Sequence, residues 1–324
     1  MNDLQQKIKG RLQAAKRVLI ASHIRPDGDA IGSSLAIGLA LQDAGKQVRV
    51  VFPKGVPDNF GHLPGIDLVH TRLDGEFDTF ICLDCSGWER LGETFSGLPA
   101  PDLVIDHHET ADKFGKINLV RRKAVATAEV LFLYMRSWGL TVTPAVAANL
   151  LTGFITDTIG FRTPNTTPKT LRQAAKLADL GADLSNLYLH GLVEKSYPAV
   201  KYWGTGLSTL QRSDGILWAS LTVADRNKSG YKGNDDADLI NLLSSVNDAD
   251  IAIMFVEQDE RMTKVSWRAL KPYIDVSQIA CQFKGGGHKA AAGAEVSGSL
   301  PEVRECVLDA TRRSLASIQG NTHY

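Results

Sequence analysis

The chain has 324 residues, of which 44% are hydrophobic and 22% are charged, and its 36 basic residues balance its 36 acidic ones. This composition is typical of a globular protein that is long enough for two domains. The absence of net charge argues against a protein that coats long nucleic acid, because duplex binding depends on neutralising many phosphates. A small phosphorylated ligand needs only a local basic pocket and is not excluded.

The N-terminal segment, residues 1–18, is polar and of mixed charge, without the apolar core of a signal peptide. No apolar run reaches the ~18 residues that are needed to span a bilayer. We therefore expect a cytoplasmic protein with no membrane partner. Cys82 and Cys85 have a C-x-x-C spacing, but they lie in a strand-like run, TFICLDC, where packing explains them better than redox or zinc chemistry.

The first half of the sequence alternates strand-like and helix-like segments. Strands are predicted from the apolar or alternating runs VLIASH (18–23), QVRVVF (47–52), TFICLDC (79–85) and DLVIDHH (102–108). Helices are predicted over residues 30–45, 127–138, 144–158 and 167–180. Nearly continuous apolar strands are typical of a sheet that is buried on both faces, so this part is predicted to be a doubly wound α/β domain with a mostly parallel sheet.

The second half has a different pattern. An irregular aromatic stretch, partly helical, follows Gly181, and strand-like runs then appear at ILWASLTV (216–223), IAIMFVEQ (251–258) and KVSWRAL (264–270). Helices are predicted over residues 235–246, 276–283 and 301–317. The sequence therefore predicts an α/β domain over residues 1–190, a linker over 191–214, and a smaller α+β domain over 215–324.

Three of the predicted strands of the first domain finish in side chains that can bind metal ions. These side chains are His23, Asp27 and Asp29 at and just after the end of the first strand, Asp84 at the end of the third, and Asp106, His107 and His108 at the end of the fourth. In open parallel α/β sheets, ligands bind in the crevice beyond the carboxyl ends of the strands. If these strands are parallel neighbours, their terminal side chains converge.

Asp157 is a fourth source of negative charge, because it lies on an otherwise apolar predicted helix, where a carboxylate needs a partner. Asp27, Asp29, Asp84 and Asp157 together would repel one another unless cations compensate them, and two divalent ions would balance their charge. Oxygen and imidazole ligands without thiolate fit Mn²⁺, with Mg²⁺, Co²⁺ and Fe²⁺ as alternatives.

Each feature also has a structural explanation. A D-x-D sequence is commonly a turn or a helix cap, Asp84 could bond to a loop amide, and a pair of histidines is often structural. The metal-site hypothesis is favoured because every group falls at the same end of a predicted strand.

The motifs SHIRPDGDAIGS, LDCSGWERLG, VIDHHE and GFITDT resemble, in order, the four motifs of the DHH phosphoesterase family. FKGGGHKAAAG is similar to the signature of the DHH-associated domain, so the resemblance extends from about Val18 to Gly293. The arrangement is most similar to the compact two-domain members that act on very short RNA. Two departures are Ile24–Arg25 before the motif proline and Lys284 where many members have glycine, and both concern substrate preference rather than metal ligands.

The resemblance implies a role for each matching residue. His23 and Asp27 would hold one metal ion, Asp29, His107 and Asp157 the other, and Asp84 would bridge the two. His108 would face the substrate phosphate or its leaving group, and Asp106 would orient the neighbouring ligands. Substrate would be bound by Arg268, Arg90 and the glycine-rich loop, which consists of Gly285, Gly286, Gly287 and His288.

The loop and the arginines have simpler alternatives. The glycines could form a tight turn before a helix at residues 289–292, Arg268 could be a solvated strand residue, and Arg90 could pair with Glu89 or Glu93. Glycine-rich loops do, however, form anion-binding nests, and a guanidinium can grip a terminal phosphate with two parallel hydrogen bonds.

The implied activity is metal-dependent hydrolysis of oligoribonucleotides about two to five nucleotides long, and of 3′-phosphoadenosine 5′-phosphate to AMP, by water that two metal ions activate. The runner-up is hydrolysis of cyclic or linear dinucleotide signals, and a single-strand DNA exonuclease or a pyrophosphatase is less favoured. A nucleotide-binding regulator without catalysis is disfavoured because every expected metal ligand is present. We expect short RNA or small nucleotides as partners, no long duplex, and a homodimer.

Overall fold

The computed structural model describes residues 2–320 of the chain. Its contacts separate into two compact units, which divide between Glu194 and Lys195. The predicted linker, residues 191–214, contains a helix at Tyr197–Ser208 that belongs to the second unit. Within the described range, no helix combines the length and the hydropathy needed to cross a membrane.

The first unit is built on a sheet of six parallel strands in the order β3-β2-β1-β4-β5-β6. The strands are β1 (Arg17–Ala21), β2 (Gln47–Val51), β3 (Val69–His70), β4 (Thr79–Leu83), β5 (Leu103–Asp106) and β6 (Ile117–Val120). All of β4 is buried, as the continuous apolar run predicts. The strand order reverses between β1 and β4, and ligand crevices of doubly wound sheets open at such a reversal. The predicted fold class of this domain is confirmed.

Helices cover the sheet of the first unit. They are α1 (Asp3–Ala14), α2 (Gly28–Asp43), α3 (Thr127–Tyr134), α4 (Pro144–Asp157), α5 (Pro168–Asp179) and α6 (Leu184–Tyr188), with short 3₁₀ turns and a π-helical turn at Leu189–Val193. The α4 helix begins where predicted, because the Thr143 side chain accepts the amide of Val146 and Pro144 occupies the first turn.

The α2 and α4 helices pack with their backbones in close contact. A Cβ atom on Gly32 would lie 2.4 Å from the carbonyl oxygen of Asn149, and one on Gly28 would lie 2.4 Å from the side chain of Thr156. Only glycine fits such a crossing. The close approach brings Asp29 on α2 beside the C-terminal turn of α4, which ends at Asp157.

The second unit contains a six-stranded mixed sheet in the order β11-β12-β10-β9-β8-β7, in which only β8 and β9 run parallel. Its strands are β7 (Gln211–Ser213), β8 (Ile216–Leu221), β9 (Ile251–Asp259), β10 (Met262–Ala269), β11 (Gly286–His288) and β12 (Ala291–Ser297). Its helices are α7 (Tyr197–Ser208), α8 (Val223–Ser229), α9 (Leu239–Leu243), α10 (Val276–Cys281) and α11 (Leu300–Gly320). The predicted α+β class is confirmed.

Two details of the sequence interpretation are wrong. The helix predicted over residues 235–246 is confined to α9, because Ala237 and Asp238 have φ values of 50° and 67°, and left-handed residues interrupt a helix. The helix considered for residues 289–292 does not form, since β11 and β12 pair as an antiparallel hairpin there, with Gly287 opposite Ala292. Cys82 and Cys85 are fully buried in an apolar cluster, consistent with the packing role expected for them.

Candidate metal centre

The carboxyl edge of the parallel sheet gathers the acids and imidazoles that the sequence analysis selected. In each of three groups, one ligand atom per residue lies within 4.8 Å of the others. The groups are His23, Asp27 and Asp84; Asp29, His107 and Asp157; and Asp84, His107 and His108. The structure therefore brings together all six predicted metal ligands and His108.

Asp84 belongs to more than one of these groups. Its Oδ2 atom lies 3.8 Å from Nε2 of His23, and its Oδ1 atom lies 3.6 Å from Nε2 of His107. The residue follows β4 with a φ of 50°, a left-handed backbone that turns the chain sharply at the end of the strand. The Thr127 hydroxyl donates to Oδ1 over 3.0 Å and holds the carboxylate in place. One carboxylate thus lies between two imidazoles.

Asp27 has two functions at once. Its Oδ1 atom accepts the amides of Asp29 and Ala30 at 3.1 and 3.0 Å, which makes it the N-cap of α2. Its Oδ2 atom lies 3.8 Å from Nε2 of His23. The helix-cap interpretation of the D-x-D motif is therefore correct, and it leaves the second carboxylate oxygen available to a cation.

Asp29 is fully buried and is held by two helices. The first amides of α3 donate to it, Thr127 to Oδ2 over 2.6 Å and Ala128 to Oδ1 over 3.0 Å, and the Ser33 hydroxyl donates to Oδ1 over 3.0 Å. These α3 amides have no partner within their own helix, so the carboxylate satisfies them. Asp29 also needs the glycine at position 153, where a Cβ would lie 2.4 Å from its Oδ1.

Each of the paired histidines is oriented by a bond at Nδ1. Nδ1 of His107 lies 3.2 Å from the Ala124 carbonyl oxygen. Because a carbonyl oxygen can only accept, Nδ1 carries a proton. The other ring nitrogen, Nε2, lies 3.0 Å from Oδ2 of Asp157. Nδ1 of His108 lies 2.7 Å from Oδ1 of Asp106. Such bonds fix the tautomer and the direction of a ligating imidazole.

Asp106 itself lies in none of the three groups. Its Oδ1 accepts the backbone amides of both His107 and His108, at 2.6 and 3.0 Å, in addition to the His108 ring. Burial alone would raise the pKa of Asp106, but these bonds hold it below its usual range, so the carboxylate stays ionised. This arrangement fits the orienting role that the resemblance implies.

The electrostatics of the cluster favour added positive charge. Burial, and then the charge of Asp157, raises the pKa of Asp29 to about 7, and burial together with Asp29 raises the pKa of Asp84 well above its usual value. Burial lowers the pKa of His107, yet its bond to Asp157 and the negative charges of Asp157, Asp84 and Asp29 together outweigh that effect, and the net pKa is well above the ordinary value. The cluster retains protons at positions that dications would occupy, so the donor set fits metal ions.

His23 is the exception. Burial lowers its pKa, so its imidazole is neutral and suited to metal binding. Arg90 adds to this shift and therefore lies close to His23, and the amide of Ile24 donates to the Arg90 carbonyl over 2.8 Å. Across the described chain Arg90 forms no ion pair with Glu89 or Glu93, so that alternative is wrong, and its exposed guanidinium borders the centre.

Two of the predicted substrate-binding residues of the second unit lie on one face of its sheet. Arg268 on β10 pairs with Ala291 on β12, which pairs with His288 on β11, so Arg268 and His288 share a face. Arg268 is half-buried, its pKa is lowered by burial, and no carboxylate in the described chain forms an ion pair with it. It is therefore not the solvated strand arginine of the alternative interpretation.

The glycine-rich segment is an edge strand rather than an open loop. The Gly285 amide donates to the Ala280 carbonyl over 2.9 Å, and a Cβ on Gly285 would lie 2.3 Å from the Gly293 carbonyl oxygen. The amide of Gly285 is thus used within the protein, and Gly286 and Gly287 continue into β11. Lys284 adopts a φ of 58°, a left-handed conformation that glycine would occupy more easily.

Sequence reasoning missed the residues that hold the ligands in place. Thr127 bonds to both Asp84 and Asp29, the Ala124 carbonyl orients His107, and Ser33 supports Asp29. The only signal was the position of Thr127 at the start of a predicted helix, where hydroxyls are common. A contact between residues so distant in sequence needs the structure.

Comparison with known proteins gives matches over both units. The pattern of the DHH family N-terminal domain matches residues 17–154, and that of the DHHA1 domain matches residues 218–316. A bifunctional oligoribonuclease and PAP phosphatase NrnA of Thermus thermophilus is 32% identical over 306 residues, which cover 92% of this chain and 90% of the relative. The protein of the same name from Bacillus subtilis is 26% identical, with 86% and 89% covered.

Solved structures agree with the fold. The crystal structure of an exopolyphosphatase-related protein from Bacteroides fragilis is similar, with a TM-score of 0.86 and 25% identity. The match covers 97% of this chain and 96% of the Bacteroides chain. The Mn²⁺ complex of RecJ from Thermus thermophilus shares the fold with a TM-score of 0.55 and 13% identity, and this chain covers 55% of RecJ. On these matches, the chain belongs to the DHH family and carries a DHHA1 domain.

Proposed function

We propose that the chain is a metal-dependent phosphoesterase that hydrolyses short oligoribonucleotides to mononucleotides and 3′-phosphoadenosine 5′-phosphate to AMP. The observation that carries the proposal is Asp84, which lies between His23 and His107 at 3.8 and 3.6 Å. A carboxylate shared by two ligand groups suits a pair of cations that hold one phosphate. The name of the Thermus relative, which matches 92% of the chain, supports the same substrates.

We assign His23 and Asp27 to one cation, Asp29, His107 and Asp157 to the other, and Asp84 to both. These ligands are oxygen and imidazole without thiolate, which suits Mn²⁺, with Mg²⁺, Co²⁺ and Fe²⁺ as alternatives. When bound, such cations polarise a phosphate and lower the pKa of an attacking water.

The protein's own groups position the reaction. Asp106 holds Nδ1 of His108, so the opposite side of that ring can donate a hydrogen bond to the phosphate or to its leaving oxygen. The Thr127 hydroxyl keeps Asp84 from rotating. The three ligand groups of the described chain consist of aspartates and histidines, which suit cations, and we propose direct attack by water without a covalent enzyme intermediate.

We further propose that Arg268, with His288 and the edge strand at Gly285, Gly286 and Gly287, binds a terminal phosphate or nucleotide. A half-buried guanidinium that forms no ion pair within the described chain is suited to a phosphate, because it can offer two parallel hydrogen bonds. Arg90 would contact the phosphate near His23. Short strands should be preferred, since a chain with no net charge has little basic surface for a long backbone.

The test is a manganese-dependent assay that compares 3′-phosphoadenosine 5′-phosphate, pApA, a ladder of 5′-phosphorylated RNAs, a cyclic dinucleotide and pyrophosphate. We expect turnover of the first two and of the shortest RNAs, with loss of activity on chelation and restoration by Mn²⁺. Preferred turnover of the cyclic dinucleotide would instead support a phosphodiesterase of dinucleotide signals. Equal rates on dimers and fifty-mers would contradict the preference for short strands.

The site of action and the assembly are also part of the proposal. We propose that the chain acts in the cytoplasm, where short RNA fragments are produced, and that it does so as a homodimer. Light scattering after size-exclusion chromatography measures the mass in solution, and a mass near 35.2 kDa would contradict the dimer. Cell fractionation followed by detection of the chain tests the location.

A further inference from the structure

A short basic turn lies beside the candidate metal centre and contains none of the proposed metal ligands. Arg121, Arg122 and Lys123 follow one another between β6 and α3, and all three are exposed. Because β6 is parallel to β5, this turn lies at the same carboxyl edge of the sheet as Asp106, His107 and His108. It concentrates three positive charges in a chain that has no net charge.

The position of the turn is fixed by backbone hydrogen bonds. The Arg121 amide donates to the Asp106 carbonyl over 2.9 Å, and the Ala124 amide donates to the Arg121 carbonyl over 2.8 Å. The Ala124 carbonyl is the group that orients His107, at 3.2 Å. The turn and the imidazole are therefore held in one network, and the basic side chains start at a defined distance from the centre.

Two of the three side chains are available to a ligand. Nε of Arg122 donates to the Glu109 carbonyl over 2.8 Å, which lays the guanidinium beside the residue after His108 and leaves its terminal amino groups for another acceptor. Lys123 makes no side-chain bond within the described chain. Arg121 already has a partner, because its guanidinium lies over the Tyr134 ring, 5.7 Å from the ring centre. The carboxylate of Glu109, the residue whose carbonyl accepts this bond, is exposed to solvent.

We infer that Arg122 and Lys123 form a phosphate subsite, which binds a second phosphate of the oligoribonucleotide while the scissile phosphate occupies the metal centre. With Nε of Arg122 already bonded, the two terminal amino groups of the guanidinium can each donate a hydrogen bond to an oxygen of the same phosphate. Lys123 adds a positive charge on a flexible side chain. Contacts to the backbone position a strand without reading its bases, so the subsite favours oligonucleotides over single phosphates whatever their sequence. The inference rests on the proposed function of the centre.

The experiment compares wild type with Arg122→Ala/Lys123→Ala on a 5′-phosphorylated RNA pentamer and on bis(p-nitrophenyl) phosphate, which has only one phosphorus. We expect KM for the pentamer to rise about tenfold, in the range for removal of a charge-assisted hydrogen bond, with kcat changed far less. The loss of kcat/KM on RNA should exceed the loss on the single-phosphate ester by at least about fivefold. Equal losses on both substrates, or an unchanged KM for RNA, would overturn the subsite.

Matched variants separate charge from structure. Lys123→Ala removes an ammonium that has no bond within the described chain, so the variant should fold normally and should raise KM without changing kcat. Arg122→Lys should keep part of the affinity for RNA. Lys46→Ala lies before β2, at the opposite edge of the sheet, and should leave KM unchanged. RNA binding by the Arg122→Ala/Lys123→Ala variant should also depend less on salt. The slope of the logarithm of the binding constant against the logarithm of the salt concentration should decrease in magnitude by about 0.7 for each RNA phosphate that the variant no longer neutralises.

The wild-type rates test the proposed function separately. If the wild type cleaves the single-phosphate ester but no RNA, the proposed substrate is wrong. If it cleaves RNA and the variants match it, only the subsite is wrong.

Discussion

Nδ1 of His108 lies 2.7 Å from Oδ1 of Asp106, and the same oxygen accepts the backbone amides of both histidines. The other oxygen, Oδ2, is buried and has no hydrogen-bond partner in the described chain. A single carboxylate oxygen therefore orients the backbone and one ring of the histidine pair.

Changing Asp106→Asn tests this orienting role. The amide keeps the shape but replaces an acceptor-only carboxylate, so the His108 ring loses its fixed direction. We expect kcat to fall about 10- to 100-fold, as for other residues that orient metal-site histidines, whereas Mn²⁺ affinity changes less than turnover because Asp106 is in none of the ligand groups. Steady-state kinetics and metal titration measure the two effects. Asp183→Asn, at the N-cap of α6, is the control.

Changing Asp84→Asn should separate activity from stability. The assignment of Asp84 to both cations predicts that turnover falls below about a thousandth of wild type and that both metal sites weaken. The metal-free variant should be at least as stable as the metal-free wild type, because burial raises the pKa of Asp84 and an amide carries no charge to desolvate. Thermal melting in chelator measures the second effect. Near-normal rates with Mn²⁺ would refute the shared position.

The pKa of Asp29 predicts how metal binding depends on pH. Its folded-state pKa is raised from 3.8 to about 7, so its contribution to the stability of the metal-free protein is fully present below about 3.8 and is lost as pH rises through about 7. The raised pKa of His107 acts in the same direction. In the proposed centre, Mn²⁺ would need Asp29 ionised and Nε2 of His107 unprotonated, so we expect cations and protons to compete.

We therefore expect the increase in Tm caused by Mn²⁺ to be larger at pH 8 than at pH 6, and metal binding to release protons. Calorimetric titration in buffers of different ionisation enthalpy counts those protons. The Asp29→Asn variant should show a smaller difference between the two pH values. A larger Mn²⁺ effect at the lower pH would show that the cluster does not hold protons in the way described.

Gly153→Ala tests the space around Asp29. The added methyl would lie 2.4 Å from Asp29 Oδ1 and 2.6 Å from Cβ of Ala128, so either α4 or the carboxylate must shift. We expect a loss of stability of about 1–3 kcal/mol together with weaker Mn²⁺ binding. Gly10→Ala on α1 is the matched control, since nothing lies within 4 Å of its added methyl, and it should stabilise the helix by about 0.5–1 kcal/mol. Chemical denaturation measures both changes.

Ile159→Gly should make the protein more stable. Ile159, two residues after Asp157, has a φ of 48°, which is unfavourable for a β-branched side chain, and it is partly exposed. Glycine removes that strain, and we expect a gain of about 1 kcal/mol in the free energy of unfolding. Ile159→Ala keeps a Cβ and should give little of this gain. If alanine and glycine stabilise equally, the backbone is not the cause.

Much of the fold could be predicted because buried parallel strands have a distinctive apolar pattern. The ends of β1, β4 and β5 were located to within a few residues, and the ligand-type side chains follow each of those ends. The limits of α9 could not be predicted, since they depend on left-handed residues at Ala237 and Asp238, which are not glycines.

Of the candidate site, the ligand-type residues could be predicted from the sequence, but the residues that support them could not. The types of its ligands can be read from the motifs, whereas the groups that support them come from other elements. Thr127 reaches Asp84 and Asp29 across 43 and 98 residues of sequence, and no local pattern encodes such contacts.

The hydrogen bonds that hold Asp29 determine how the protein behaves without metal ions. Its carboxylate is held by two amides and a hydroxyl of the protein itself, so its position is set when the helices pack and does not wait for an ion. Metal loading is then a late step on an already folded chain. When the cations that fit this donor set are scarce, we expect the chain to persist as a compact, inactive pool that regains activity on resupply, without new synthesis or refolding.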